Sequence, residues 1–119
     1  MTGQERVVNR TRGTVLVERL ERATNFFTRA RGLLGRKELP TGHGLLIDPC
    51  NSVTCYFMRF TIDVIYIDRA RRVVALAPEL RPFRNGPIVF RARAVIEVPA
   101  GTIARTGTQV GDELAIEPA

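Results

Sequence analysis

The most β-prone run of the chain, Tyr56-Phe57-Met58-Arg59-Phe60-Thr61-Ile62-Asp63-Val64-Ile65-Tyr66-Ile67-Asp68, carries Arg59 and Asp63 among aromatic and β-branched residues. Such side chains crowd a helix and pack well on a pleated surface, so the run predicts a strand around which the rest is organised. Period-two alternation puts Phe57 and Arg59 on one face, with Met58 and Phe60 on the other. Beyond a kink near Thr61, the alternation places Ile62, Val64 and Tyr66 together, and Asp63 with Ile65 and Ile67 on the opposite face. A charge among isoleucines must be paired or hydrogen-bonded. Arg59 and Asp63 are therefore read either as a structural ion pair or as the floor of a small-molecule site.

The flanking segments supply short elements. Thr14-Val15-Leu16-Val17-Glu18 reads as the first strand. From Thr24 the apolar period changes, and Phe26, Phe27, Ala30, Leu33 and Leu34 share one face of a helix over residues 24–35. Thr24 or Asn25 starts it and Gly35 ends it. Leu45-Leu46-Ile47 is a short buried strand. Asp68-Arg69-Ala70-Arg71 is a hairpin turn into Arg72-Val73-Val74-Ala75-Leu76. Residues 78–87, with Pro78, Pro82, Pro87 and Gly86, read as an irregular excursion anchored by Leu80, Phe83 and Ile88. A strand over residues 92–98, a helical turn over residues 101–106 capped by Gly107, and a last strand over residues 113–116 complete the chain. The expected class is α+β, mostly antiparallel β, as a small barrel-like or curved sheet with one main helix packed on it.

With 119 residues and 45% hydrophobic content, one core is expected. Residues 13–119 form a single domain, preceded by a flexible basic lead-in over residues 1–12. The net charge of +6 invites a nucleic-acid reading. The basic residues are arginines except for Lys37 and are scattered along the whole chain. A total is not a patch, so nucleic acid is an unfavoured partner. No run approaches the roughly 18 apolar residues of a bilayer span, so no membrane partner is expected and the expected location is cytoplasmic, with Cys50 and Cys55 reduced.

Several segments taken in order resemble a known family, the domain of unknown function family 192. They are Arg31-Gly32-Leu33-Leu34-Gly35-Arg36, Gly44-Leu45-Leu46-Ile47, Phe57-Met58-Arg59-Phe60-Thr61-Ile62-Asp63-Val64, Ile67-Asp68, Ile96-Glu97-Val98-Pro99-Ala100-Gly101-Thr102 and Val110-Gly111-Asp112. The resemblance covers residues 15–116 and implies a compact β-rich domain with a helix, defined by fold and not by a reaction. Thr61 stands where the family commonly has Pro, and Thr54 where relatives often carry His, so a mechanism using a histidine there does not apply.

Asp63 and Glu97 sit in apolar strands and are the candidate catalytic residues. Brought together, two such carboxylates act as acid and base with pKa values pushed apart. The alternative is that each is held structurally by Arg59, Arg36 or backbone N–H groups. The candidate ligand site comprises Arg59, Asp63, Glu97, Asn51 and Thr54, bordered by the loop from Phe83 to Gly86, and a small polar or anionic ligand fits it. A metal set of His43, Asp48, Cys50 and Cys55 lacks the usual tight ligand spacing, and no phosphate-binding glycine loop occurs, so neither metal nor cofactor is expected. The readings left by the residues are a binding or accessory domain, a small hydrolase or lyase using Asp63 and Glu97, and weak nucleic-acid association through surface arginines.

Overall fold

The computed structural model describes residues 3–23, 38–53 and 60–119. Among the described residues, eight strands build two curved sheets. β1 (Glu5–Asn9), β2 (Thr14–Val17) and β8 (Leu114–Pro118) form an antiparallel sheet in the order β2-β1-β8. β3 (Arg19–Ala23), β4 (His43–Ile47), β5 (Ile62–Ile67), β6 (Val73–Leu80) and β7 (Ala94–Pro99) form a second sheet in the order β3-β4-β7-β5-β6. Among the described strands, only the β3–β4 pair is parallel. A short helix, α1 (Thr102–Thr106), lies between β7 and β8. The fold is α+β and mostly antiparallel, with curved sheets that do not close into a barrel. The helix expected over residues 24–35 lies outside the described residues.

The alternation in the central run is realised in β5. Ile65 and Ile67 join Leu46, Ile96 and Val98 in a core shared with Val7, Leu16, Val17 and Leu114 of the smaller sheet. Ile62, Val64 and Tyr66 join Leu45, Ile47 and Val95 in a second core on the other face. Burial on both faces explains why β5 and β7 read as nearly continuous apolar runs.

Two expectations are corrected. Within the supposed lead-in, Glu5–Asn9 is strand β1, the middle strand of its sheet, with Val7 and Asn9 fully buried. Its five residues hold only two apolar side chains, and its partners β2 and β8 satisfy its backbone from both sides. The Glu5 carboxylate receives Arg22 Nε at 2.7 Å, a pair that ties β1 to β3 and holds Glu5 below its ordinary pKa, chiefly through that hydrogen bond. The irregular excursion begins later than expected, because β6 continues through Pro78 to Leu80. Pro78 is tolerated there because β6 is an edge strand.

β6 is also bulged. Ile62 pairs with Leu80 but Val64 pairs with Ala77, leaving Pro78 and Glu79 opposite Asp63 alone. Glu79 takes a left-handed φ of 52° at this point.

Candidate functional site

Asp63 is 1% exposed, and both of its carboxylate oxygens are engaged by backbone. Oδ1 accepts the Glu79 N–H at 2.8 Å, the N–H that the bulge turns away from its ladder. Oδ2 accepts the N–H groups of Gly101 at 3.1 Å and Ile103 at 2.9 Å. Gly101 is the N-cap of α1 and has no side chain with which to cap it. Asp63, reaching from β5, takes that role and meets the unpaired donors of the first turn. One carboxylate thus fastens the bulge of β6 and the start of α1 to the central strand.

Glu97 is also buried, at 2% exposure. It stands opposite Val64 on β5 and opposite Leu45 on β4, whereas Asp63 stands opposite Val98. Directly opposed residues share a face, so Glu97 lies on the face of Val64 and Leu45, and Asp63 lies on the face of Val98. The expected acid–base pair is corrected by this register: the two side chains project from opposite faces of one sheet. Glu97 is itself a partnered group. Arg59, Thr54, Arg36 and Cys55 lie outside the described residues. Among the described residues, no three or more His, Cys, Asp or Glu side chains gather as a metal site.

Asn51 does line a cavity, at the end of the sheet where β4 and β5 finish and β7 begins. An open hollow of about 740 Å³ is bordered by residues 49–51, 68–70 and 90–93. Its walls are positioned by backbone bonds between the two segments: Cys50 N–H to Arg93 O at 2.9 Å and Val89 N–H to Asn51 O at 2.9 Å. Gly86 N–H to Val53 O at 2.8 Å continues the same contact, and the Tyr66 hydroxyl donates to Pro87 O at 2.9 Å. The loop after β6 is therefore pinned to the segment after β4 although neither is a regular strand here.

The hollow is cationic. Arg93 pairs with Asp48 at 2.8 Å, but Arg69 and Arg91 are exposed and make no hydrogen bond or ion pair to a described residue. The carboxylate in the wall, Asp68, is turned toward its own loop, where Oδ1 accepts the N–H groups of Ala70 and Arg72. A smaller cavity of about 220 Å³ adjoins it, sharing Asp68, Arg69 and Arg93 and adding Arg71. The sequence indicated Asn51, but the expected bordering loop from Phe83 to Gly86 does not line this hollow, and its arginines come from two distant segments that no local spacing links.

Reading the sequence also passed over a buried polar cluster. Asn9 Nδ2 donates to Asp112 Oδ2 at 2.9 Å and to Thr108 Oγ1 at 3.2 Å, while Asn9 Oδ1 accepts the Arg12 N–H. Arg12 forks onto both oxygens of Asp112 at 3.1 and 3.2 Å. The Gln109 N–H adds a further bond at 2.9 Å. Burial pushes the Asp112 carboxyl up, but the bonds from Arg12, Asn9 and Gln109 outweigh it and hold the group below its ordinary 3.8. Every buried side-chain polar atom of this cluster has a partner, which makes it a structural clasp between the β1–β2 turn and the turn before β8.

A family model, DUF192, described as "Uncharacterized ACR", matches residues 7–116. A UPF0127 protein of Thermococcus sibiricus is 32% identical over 112 residues, covering 91% of this chain and 72% of the relative. One of Pyrococcus furiosus is 33% identical over 113 residues, covering 91% and 95% respectively. A solved structure of a protein of unknown function from Novosphingobium aromaticivorans superimposes with a TM-score of 0.81 at 25% identity, covering 94% of this chain and 83% of that one. Another, titled a putative transcription regulator from Sinorhizobium meliloti, gives 0.79 at 23% identity, over 95% and 92%, and shows the shared fold alone. With the match running from β1 into β8, the chain belongs to the DUF192 (UPF0127) family.

Proposed function

We propose that the protein is a small binding domain that holds an anionic ligand in the hollow between residues 49–51, 68–70 and 90–93. The observation that carries this reading is the pair of guanidinium groups, Arg69 and Arg91, which are exposed in a concave site and make no ion pair with a described residue. Guanidinium forks take carboxylate or phosphate oxygens through parallel hydrogen bonds. Asn51 adds a donor and an acceptor, and the exposed ring of Phe90 adds an apolar wall. Binding is favoured over hydrolysis because Asp63 is held by three backbone donors and Glu97 faces the other way. The ligand site expected around Asp63 and Glu97 moves to the arginine-lined hollow, with Asn51 as the residue common to both.

Isothermal titration with inorganic phosphate and with citrate tests the proposal. Saturable binding that disappears in an Arg69→Gln/Arg91→Gln double variant supports it. Absence of saturable binding to either anion at low ionic strength overturns it.

A further inference from the structure

Five large apolar side chains among the described residues are exposed, and three of them, Phe83, Ile88 and Phe90, fall within one loop. Their exposures are 70%, 62% and 87%, against a body whose two faces of β5 are fully packed. Apolar side chains concentrated at that level in one loop mark a contact surface.

The backbone presents these rings deliberately. Arg84 N–H bonds to Arg81 O, closing a tight turn with Pro82 and Phe83 at its tip. Phe83 holds a left-handed φ of 64°, the conformation that position favours for Gly or Asn. A bulky aromatic there is strained and solvated, and neither folding nor core packing gains from it. A second turn, closed by Ala92 N–H to Val89 O, carries Phe90 and Arg91 at its tip.

Charge identifies the partner. Between Leu80 and Ile96 there is no carboxylate, while Arg81, Arg84, Arg91 and Arg93 all fall in that span. Arg93 pairs with Asp48, but Arg81, Arg84 and Arg91 make no ion pair with a described residue. The surface therefore needs a partner with an apolar layer immediately beneath a negative one. A nucleic-acid strand would stack on the two phenylalanines but leave aliphatic Ile88 unmatched. We infer that residues 81–93 are a docking surface for an anionic phospholipid membrane, with Phe83, Ile88 and Phe90 entering the headgroup boundary and the arginines meeting lipid phosphates. No helix among the described residues is long and apolar enough to cross a membrane, and surface docking requires none. This extends beyond the anion-binding hollow, because Arg81, Phe83, Arg84 and Ile88 lie outside it.

The chain has no tryptophan, so Phe83→Trp gives a single clean probe. With vesicles of phosphatidylcholine mixed with phosphatidylglycerol, the indole emission shifts to the blue and is quenched by brominated acyl chains. Pure phosphatidylcholine gives no shift. In co-sedimentation with the wild-type chain, Arg81→Gln and Arg84→Gln each weaken binding to the mixed vesicles about fivefold. Phe83→Ser weakens it roughly tenfold or more. None of these variants changes titration with inorganic phosphate. Equal binding to both vesicle types, or none to the mixed vesicles, overturns the inference. So does a chain that ignores vesicles but binds oligouridylate, or one that self-associates through Phe83 instead.

Discussion

Asp63 and Glu97 occupy neighbouring antiparallel strands one register step apart, yet their side chains leave the sheet in opposite directions. Both are buried, and the resemblance to a catalytic dyad exists only in the list of residues. Asp63 serves a bulge and a helix start that lie 16 and 38–40 residues away in sequence.

Asp63→Asn is expected to cost about 3 kcal/mol in urea unfolding, since an amide keeps only one acceptor oxygen where the carboxylate served three N–H donors. The folded fraction of the variant keeps phosphate binding. Unchanged stability with lost binding would reverse the assignment of Asp63 as a fastening group.

Asp112 gives the fold a specific acid limb. Its folded pKa lies below 3.8, so the unfolded chain binds a proton more readily. Its contribution is complete above the unfolded pKa and is lost as pH falls through the folded one. Urea unfolding followed from about pH 5 to about pH 2 should show a steeper loss in wild type than in Asp112→Asn. That variant is expected to be weaker by about 3 kcal/mol at neutral pH, because Arg12, Asn9 and Gln109 keep donors without a full acceptor. Parallel pH profiles would remove Asp112 from this role.

Much of the sheet was legible because local pattern and packing agree there. The alternation of Ile62, Val64 and Tyr66 against Asp63, Ile65 and Ile67 is the division between the two cores. The glycine-bounded turn at Thr102–Thr106 also follows from local signals, with Gly101 and Gly107 both left-handed. Strands β1 and β3 carry little local signal: β3 buries only Leu20 and Ala23 among two arginines and a glutamate. Its partner is a parallel strand 24 positions later in the chain, Arg19 opposite His43. The clasp of Asn9 with Asp112 and the grouping of Arg69 with Arg91 are likewise set by distant pairings, which composition and spacing do not reveal.

Gly44→Ala is expected to destabilise by about 1–3 kcal/mol. An added Cβ would stand 2.7 Å from Val17 Cγ2 and 3.0 Å from its Cγ1, and Val17 is fully buried between the sheets. A compensating Val17→Ala should recover part of the loss in a double-mutant cycle, whereas additive losses would show that the clash is relieved elsewhere.

Arg69→Gln and Arg91→Gln, taken singly, should each reduce phosphate affinity about tenfold while leaving the urea midpoint within experimental error. Both guanidinium groups are exposed and unpaired among the described residues, so folding draws nothing from them. A fall in the midpoint would mean that they brace the loop.

The placement of β1 between β2 and β8 has a consequence for biosynthesis. As the chain emerges, β1 can meet β2 at once through the short turn at residues 10–13, but its other edge stays open until β8 appears. Glu5 pairs with Pro118, so β1 waits for a strand that follows it by more than about a hundred residues. Closure of the smaller sheet therefore waits for β8, and a nascent chain arrested before Leu114 should expose the β1 edge to any strand that can pair with it.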